Sequence, residues 1–349
     1  MAKKLFTGKR VLFAAKGRVE IADWDVFEPQ SGEVLFENVA SLVSPGTELS
    51  HLFDIHTKPA AYPSNTGYIS AGRIARVGPG VEKWKPGDVV LSGLGHVSHA
   101  VFPETHWFVP VPEGMELVDA VWAKLATIPI FGVQRAAVRI GSSVGVFGLG
   151  VIGQLAAQLA RLAGGLPVIG VDLSEKRLEL ARSTGAHAVV NGSGDVATAV
   201  SKATGGYGLD CVIEVTGTPS VVHKLFDYCA PGAYVCILGG VHKPVTLDLY
   251  THFQKKGITM VGSHTSNCPA EASPVYPYNM AHNLGYLLKA ISTGALQVKP
   301  LTSRFVSFRE APAMYAALAE KTSDVIGVAF DWSETSGLSG AGEEVAKRG

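Results

Sequence analysis

Apolar positions follow two different rhythms along the chain, and the change falls near residue 120. Before it, short runs rich in β-branched and aromatic residues alternate with turns that Pro-Gly and Gly-Asp pairs mark. These runs are RVLFAA, GEVLFENVASLVS, ISAGRIARVG, GDVVLSG, HAVFPE and HWFVPVP. The pattern predicts a twisted, antiparallel, barrel-like domain.

After residue 120 the chain alternates between short apolar strands and longer amphipathic helices. Strands that are apolar throughout, with helices between them, indicate a parallel sheet covered by helices on both faces. We therefore predict an α/β fold for this part. Its six strand candidates are SVGVFG, PVIGVD, HAVVN, DCVIEV, AYVCILG and ITMVGS.

From about Cys268 the rhythm changes again, and we expect this last part to return to the first domain. The residues from Ser333 onward are polar and rich in Gly and Ser, which is typical of a flexible tail. The predicted elements between them are the helix MAHNLGYLLKAIS, the strand SRFVSF, the helix REAPAMYAALAE and the strand VIGVAF.

Length and composition set broad limits on function. The 349 residues suggest about two domains, and 47% hydrophobic residues provide ample core. Thirty basic and thirty acidic residues balance, so we expect neither nucleic acid nor a membrane surface as a partner. The start, MAKKLFTGKRVLF, does not have the pattern of a signal peptide. The four cysteines lack CxxC spacing, which disfavours disulfides and a zinc ribbon, and we expect a cytoplasmic protein.

The strongest chemical motif is GVFGLGVIGQLAAQ, in which a GxGxxG pattern directly follows a strand and opens a helix. Glycines allow a sharp turn and let backbone N–H groups approach a pyrophosphate at the helix N-terminus. A GxGxxG pattern alone is weak evidence of dinucleotide binding, but its position between a predicted strand and a predicted helix strengthens that evidence. The predicted cofactor-binding residues here are Gly148, Gly150, Val151, Ile152 and Gly153.

The second strand of this part ends in an acid, Asp172, nineteen residues beyond Gly153. A carboxylate there accepts hydrogen bonds from the adenosine ribose and repels a 2′-phosphate, which favours NAD over NADP. Arg177, with Lys176 beside it, is the nearby group that would accommodate a phosphate, so strict NAD preference stays open.

Several stretches together resemble the medium-chain dehydrogenase/reductases, the zinc alcohol dehydrogenase superfamily: SPGTE, GYISAGRIARVGPGVEKWKPGDVV, GVFGLGVIGQ, DCVIEVTGTPS and AYVCILGG. Their order matches over nearly the whole chain. The resemblance implies a GroES-like catalytic domain (1–123), a Rossmann NAD-binding domain (124–267), a return to the catalytic domain (268–332) and a tail (333–349). It also implies a homodimer or homotetramer, and a nicotinamide near Thr216 and Gly217 on one side and Leu238, Gly239 and Gly240 on the other.

The chain departs from this superfamily at its zinc ligands. Pro45 stands where the resemblance places a cysteine, Tyr68 and Ile69 replace a His-Glu pair, and Lys124 is found where a later ligand would fall. Zinc needs four ligands of the Cys, His or carboxylate type, so we expect no metal. The scattered histidines, such as HLFDIH and HVSH, are more typical of solvent-facing or pocket-lining positions than of ligands.

Without zinc, hydride transfer to a ketone still needs a donor for the developing alkoxide. Tyr68, His51 and Lys124 are candidates, and Thr47 matches the proton-relay Thr/Ser that the resemblance implies. His242 and His264 follow strand ends and are further pocket candidates. For each of these residues a packing or solvated role remains the alternative.

The sequence is compatible with three enzymatic functions and one non-enzymatic binding function. We favour a zinc-independent, NAD(H)-dependent alcohol dehydrogenase or ketone reductase that acts on a hydroxylated small molecule such as a sugar, a cyclitol or a biosynthetic intermediate. The alternatives are a redox-neutral epimerase or eliminase with tightly held NAD, an enoyl reductase, and a non-enzymatic nucleotide-binding protein. The loops 51–66, 92–107 and 264–280 are expected to select the substrate.

Overall fold

The computed structural model describes residues 2–55, 59–269, 271–273, 278–320 and 325–336. The chain divides into two compact units. The first contains Met1–Lys124 and Thr302–Gly349, and the second contains Leu125–Leu301. The second unit is thus an insertion in the first, as the sequence indicates.

The first unit is built from two sheets. Three strands form one sheet in the order β2-β1-β4, and a seven-stranded sheet runs β15-β16-β3-β5-β6-β8, with β7 also paired to β3. All pairs are antiparallel except β15 with β16. The strands are β1 (Lys4–Ala15), β2 (Arg18–Phe27), β3 (Glu33–Leu42), β4 (Ser64–Asn65), β5 (Ser70–Val77), β6 (Val89–Ser92), β7 (His99–Pro103), β8 (Phe108–Pro110), β15 (Thr302–Ser307) and β16 (Gly327–Asp331).

Two helices of the first unit pack beside these sheets, α1 (Pro45–Leu52) and α8 (Ala311–Ala319). Their apolar residues join a core whose rings come from both ends of the chain. Phe308 and Trp332 stack with ring centroids 4.4 Å apart, and Phe13 meets Tyr315 edge-on at 5.2 Å. The C-terminal segment is therefore part of the core that supports α1.

The second unit is a six-stranded parallel sheet in the order β11-β10-β9-β12-β13-β14. All six strands match the apolar runs singled out in the sequence. They are β9 (Val144–Phe147), β10 (Val168–Asp172), β11 (Ala188–Asn191), β12 (Leu209–Glu214), β13 (Cys229–Ile237) and β14 (Thr259–Gly262). The order reverses between β9 and β12, the type of switch point at which open α/β sheets bind ligands.

Among the described residues, five α-helices belong to the second unit, and a sixth, α2 (Leu117–Arg135), begins in the first unit and ends in the second. Although α2 is long and apolar enough to span a membrane by composition, it is mostly buried inside the protein, as a core helix is. A short π-helix covers Leu249–Lys255. The five helices are α3 (Val151–Leu162), α4 (Glu175–Thr184), α5 (Val196–Ala203), α6 (Pro219–Leu225) and α7 (Met280–Ser292).

The return to the first unit lies at Thr302, and not at residue 268 as the sequence predicted. The reason is the packing of α7 and the segment after it. Asn283 of α7 exchanges two side-chain hydrogen bonds, of 2.8 and 3.1 Å, with Gln134. Gln297 exchanges two more, of 2.8 and 3.1 Å, with Gln158 of α3. The tail predicted from Ser333 begins too early, because Ser333–Thr335 forms a 3-10 helix in which Thr335 is buried and Glu334 pairs with Arg309. The rest of the predicted tail, from 337 onward, lies outside the described residues.

Candidate active site

The Gly-rich turn between β9 and α3 is shaped by close backbone approaches. Gly148 has a φ of 92°, in the region that favours glycine, and a Cβ there would lie 2.9 Å from the Thr216 side chain. A Cβ on Gly153 would lie only 1.8 Å from the Gly148 carbonyl oxygen. These two glycines are therefore required for the turn to pack against the start of α3.

The N-terminus of α3 is suited to an anion. Gly150 is its N-cap, no side chain of the described chain caps it, and the first turn carries no acidic residue. A Cβ on Gly150 would meet no described atom within 4 Å, so this position faces open space. Free N–H groups and the positive end of the helix dipole fit a pyrophosphate at this point. Val151 and Ile152 form the first turn of the helix.

Asp172 lies at the end of β10 and is tied to the Gly-rich turn. Its Oδ2 accepts a 2.6 Å hydrogen bond from the Leu149 N–H, and its Oδ1 accepts one of 2.9 Å from the Ser174 N–H. The Arg177 guanidinium lies 3.9 Å away. Because a carboxylate has about four acceptor positions, these two bonds leave room for ribose hydroxyls. The sequence predicted Asp172 as the ribose-binding acid, but it did not predict that the same carboxylate also holds the Gly-rich turn.

The two turns expected beside the nicotinamide are in contact with each other. Gly217 has a φ of 63°, and a Cβ there would lie 2.6 Å from the Gly240 carbonyl oxygen. A Cβ on Gly239 would lie 2.6 Å from the Gly217 N–H nitrogen. Leu238 follows β13 and donates its N–H to the Glu214 carbonyl at 2.9 Å. The structure thus brings together Thr216, Gly217, Leu238, Gly239 and Gly240 at one end of the sheet.

Glu214 organises these turns and was not singled out from the sequence. Its buried carboxylate accepts hydrogen bonds from the Thr216 N–H at 2.6 Å, the Thr216 hydroxyl, and the Gly217 N–H at 3.0 Å. Burial raises the pKa of Glu214, and the hydrogen bonds oppose that shift. An acid ending the apolar strand DCVIEV was the available signal.

In the first unit, Tyr68 lies beside the N-terminus of α1. Its hydroxyl donates a 2.7 Å hydrogen bond to Ser44 Oγ, and the exposed Thr47 hydroxyl is a second hydrogen-bond partner. Burial raises the pKa of Tyr68, the hydrogen bonds with Ser44 and Thr47 lower it, and the nearby charge of Glu48 raises it further. The net shift is upward, so the phenol carries its proton at neutral pH. Ser44 was not among the predicted catalytic residues.

A buried polar network lies directly behind this pair. Glu48 accepts hydrogen bonds from the Ser44 N–H at 2.6 Å, the Thr66 hydroxyl at 2.9 Å, His96 Nε2 at 3.1 Å and the Tyr315 hydroxyl. Burial alone would raise the pKa of Glu48, but the attraction of His96 and these hydrogen bonds hold it below its ordinary value. The carboxylate is therefore ionised although its residue is 3% exposed.

The other two donor candidates have different partners. His51 Nε2 lies 2.9 Å from Ser64 Oγ, and its ring packs beside Phe13 at 5.8 Å. The Lys124 ammonium lies 4.8 Å from the centre of the Trp107 ring, and burial lowers the pKa of Lys124. Both are half-buried. Tyr68 thus interacts with Ser44 and Thr47. His51 interacts with Ser64, and Lys124 interacts with Trp107.

The histidines of HVSH were expected to face solvent or to line a pocket, and the structure shows that they do not face solvent. His96 and His99 are both fully buried. The His96 ring packs edge-on against Phe330 and the His99 ring against Phe6, with ring centroids 5.0 and 4.9 Å apart. His56 lies outside the described residues, His264 is exposed, and a Cβ on Gly240 would lie 2.9 Å from His242 Nε2.

Among the described residues, no group of three or more His, Cys, Asp or Glu side chains is arranged to hold a metal. Burial raises the pKa of the Cys211 thiol to about 11 and that of Cys229 and Cys236 to about 12. These thiols belong to the core of the second unit and remain protonated. The absence of zinc stays a prediction.

Comparison with known proteins identifies the family. The zinc-binding dehydrogenase family model matches residues 151–278. D-guloside 3-dehydrogenase of Escherichia coli K12 is 30% identical over 257 residues, which cover 71% of this chain and 72% of that protein.

Two solved structures share the fold. A candidate zinc-binding dehydrogenase from Sinorhizobium meliloti 1021, bound to NADP, has a TM-score of 0.79 at 22% identity. A protein described as a short chain alcohol dehydrogenase from Escherichia coli CFT073, complexed with NADH, has a TM-score of 0.77 at 20% identity. Each comparison covers 93% of this chain and 99% of the other. The chain belongs to the medium-chain dehydrogenase/reductase superfamily of zinc alcohol dehydrogenase-like proteins, and it is an oxidoreductase of that type.

Proposed function

We propose that this protein is a zinc-independent, NAD(H)-dependent dehydrogenase that interconverts a secondary alcohol and its ketone on a sugar or a similar polyhydroxylated molecule. The relative that acts as a D-guloside 3-dehydrogenase supports the substrate class. The observation that carries the proposal is the Tyr68 phenol, hydrogen-bonded to Ser44 at 2.7 Å, at a position where the superfamily's pattern has a metal ligand.

The second unit supports the cofactor assignment. The Gly148–Gly153 turn and the uncapped start of α3 fit a pyrophosphate, and the nicotinamide would supply the acceptor or donor of hydride. The half-buried carboxylate of Asp172 disfavours a 2′-phosphate, which supports NAD over NADP. The structural neighbours hold either cofactor, so the preference rests on Asp172.

The first unit supplies the proton chemistry. In ketone reduction, negative charge develops on the substrate oxygen, and a proton donor there lowers the barrier. The protonated phenol of Tyr68 is such a donor. As its proton leaves, the Ser44 and Thr47 hydroxyls can turn and donate to the phenolic oxygen, because a hydroxyl both donates and accepts. Thr47 is exposed and so connects the phenol to solvent for reprotonation.

Zinc independence is supported by the side chains at the expected ligand positions. The pyrrolidine of Pro45 offers no ligand atom, the Tyr68 hydroxyl is engaged by Ser44, and Lys124 is a cation that would repel a metal ion. A phenol proton donor supplies the charge stabilisation for which zinc members use a Lewis acid.

We also propose a cytoplasmic homodimer or homotetramer. Strand β14 is one of the two edge strands of the six-stranded sheet and pairs with β13 alone among the described residues, and Met260 on it is 44% exposed. Leu249 and Tyr250, in the π-helix that precedes β14, are 65% and 63% exposed. An unpaired strand edge with apolar side chains is suited to pairing with a second copy. Light scattering of the purified protein measures the oligomeric state, and a monomer at working concentration would rule this out.

The substrate class is tested by a spectrophotometric screen. Glycosides, free sugars, cyclitols and simple secondary alcohols are each incubated with NAD and with NADP, and the corresponding ketones with the reduced cofactors. We expect turnover of a polyhydroxylated secondary alcohol with NAD. Turnover confined to activated alkenes would instead identify an enoyl reductase, and isomerised product without net cofactor change would identify a redox-neutral enzyme.

A further inference from the structure

Ser44 is the N-cap residue of α1, but its hydroxyl does not cap the helix. A serine at this position ordinarily accepts a hydrogen bond from a first-turn N–H, which stabilises a helix by ~1 kcal/mol. In the described chain the Ser44 side chain makes no capping hydrogen bond, and its Oγ instead accepts from Tyr68 at 2.7 Å. The Ser44 hydroxyl therefore hydrogen-bonds to the Tyr68 phenol and not to a backbone N–H of the helix.

In the absence of a side-chain cap from Ser44, a hydrogen bond from Glu48 holds the main chain of Ser44. Its Oε1 reaches back one turn to the Ser44 N–H at 2.6 Å, like the acidic half of a capping box. Ser44 is held from the helix side through its N–H, and its side chain is left free to face Tyr68. The direction of the Ser44 hydroxyl therefore depends on Glu48.

The Glu48 carboxylate cannot turn away from this task. Besides the Ser44 N–H, it accepts from the Thr66 hydroxyl at 2.9 Å, from His96 at 3.1 Å and from the Tyr315 hydroxyl. An ionised carboxylate has about four acceptor positions, so these four bonds saturate it. A saturated, buried carboxylate is stable, while loss of one partner would expose an uncompensated charge.

His96 is itself oriented from the far side. Its Nδ1 lies 2.7 Å from Ser41 Oγ, which accepts a 2.9 Å hydrogen bond from the Trp332 indole. Because an ionised carboxylate only accepts, Nε2 carries the proton shared with Glu48 in either charge state of the imidazole. The chain of contacts Trp332–Ser41–His96–Glu48–Ser44 thus extends from the C-terminal segment to the partner of Tyr68.

We propose that Glu48 is a positioning residue for Tyr68 and acts through Ser44, with His96 holding Glu48 in place. The inference rests on the proposed function of Tyr68 as the proton donor. Glu48 does two things in this arrangement. It sets the direction of the hydroxyl that receives the phenol's hydrogen bond, and its negative charge lies close enough to act on the phenol.

The two partners act on Tyr68 in opposite directions. The hydrogen bond with Ser44 lowers the pKa of Tyr68, and the charge of Glu48 raises it. The titratable groups that face Glu48 are His96, from the loop before β7, and Tyr315, from α8. Removal of the Glu48 charge should therefore lower the titration midpoint of Tyr68, and removal of the Ser44 hydroxyl should raise it.

The test is the ultraviolet titration of tyrosinate in the free protein, with Tyr68 assigned from the difference between the unmodified protein and Tyr68→Phe. We expect Glu48→Gln to move the Tyr68 midpoint to lower pH and Ser44→Ala to move it to higher pH. Both should lower kcat by about tenfold or more while KM changes little, and Ser44→Thr should restore most of kcat. Glu33→Gln is the matched control, because Glu33 also accepts a hydrogen bond from a main-chain N–H, that of Gln30 at 2.8 Å, and lies outside the loops expected to select the substrate. It should change neither quantity.

Unchanged Tyr68 midpoints in both variants, with only a lower melting temperature, would show that the network is structural and would overturn the proposal. Should Glu48→Gln not fold, Ser44→Ala carries the test, because it leaves the Ser44 N–H bond to Glu48 intact. The titration needs no turnover, so it is separate from the proposed function. Normal kcat in Tyr68→Phe would refute the catalytic phenol even where the midpoints shift as expected.

Discussion

The Tyr68 hydroxyl lies 2.7 Å from Oγ of Ser44, the N-cap residue of α1. The pair stands where the superfamily's pattern has a histidine and the neighbour of a cysteine ligand. A phenol that donates to a hydroxyl, with an ionised carboxylate behind it, is suited to proton transfer, which is the role we propose for it.

Purified protein should contain no stoichiometric zinc, and chelation should leave its activity unchanged. The physical reason is that Pro45, Tyr68 and Lys124 occupy the positions of the expected ligands. Elemental analysis of protein prepared without added metal measures the content, and a characterised zinc alcohol dehydrogenase is the positive control. About one zinc per chain, with activity lost on chelation and restored by zinc, would contradict this prediction.

Asp172→Ala should weaken NAD binding by ~1–3 kcal/mol and reduce the preference for NAD over NADP, because the ribose loses an acceptor and the 2′-phosphate loses a repelling charge. The variant should also lower the melting temperature, since the Leu149 and Ser174 N–H groups lose their partner. Calorimetry with each cofactor measures both affinities.

Asp195→Ala is a suitable control for the Asp172 variant. Asp195 also accepts a main-chain hydrogen bond, as the N-cap of α5, but it does not contact the Gly-rich turn. It should lower stability without changing the ratio of the two affinities. Equal affinity for NAD and NADP in the unmodified protein would remove the basis of the cofactor assignment.

The pH profiles of the two reaction directions should differ. Because the pKa of Tyr68 is raised, mainly by burial, the phenol is protonated at neutral pH and ready to donate in ketone reduction. Alcohol oxidation needs the phenolate as a base, so its rate should rise with pH while reduction falls only at strongly alkaline pH. Initial rates in both directions across pH, at saturating cofactor, provide the measurement. An oxidation rate that is flat from neutral to alkaline pH would count against the phenol.

His99 should make the protein sensitive to acid. It is fully buried, neither ring nitrogen finds a hydrogen-bond partner among the described residues, and burial lowers the pKa of His99 from 6.5 to about 4. Between these values the unfolded chain binds more protons than the folded one, so stability falls as pH falls from about 6.5 to about 4. The shift corresponds to about 3 kcal/mol.

Denaturant unfolding at several pH values tests this effect. His99→Phe, which removes the titratable group beside Phe6, should flatten the dependence between pH 6.5 and 4. His223→Gln, a change at an exposed histidine, should leave it intact. The same slope in His99→Phe as in the unmodified protein would assign the acid sensitivity to other groups.

Much of the fold could be predicted from local sequence patterns. The six strands of the second unit and the start of α3 follow from continuous apolar runs and the Gly-rich turn, which act over a few residues. Helix α1 was missed because it is eight residues long and contains Pro45 and Gly46, although Ser-Pro at its start and Glu48 in its first turn are helix-start signals.

The candidate site was predictable only in part, because its network joins distant positions. Glu48 meets His96 across 48 residues of sequence and Tyr315 across 267. The periodicity of apolar residues within a short stretch of sequence does not predict contacts between such distant residues. The return of the chain at Thr302 was missed for the same reason. Gln134 holds α7 in the second unit and Gln158 holds Gln297 in the segment after it, and both glutamines lie far earlier in the chain.

The most direct test of the account is kcat for Tyr68→Phe. This change removes one hydroxyl and keeps the ring, and loss of a donor aimed at a developing oxyanion typically costs ~10²–10³ in rate. We expect kcat to fall by that factor, with NAD affinity unchanged and the melting temperature close to that of the unmodified protein. A Tyr68→Phe enzyme with near-normal kcat would contradict the central claim, and Lys124 or His51 would then be the next proton donor to test.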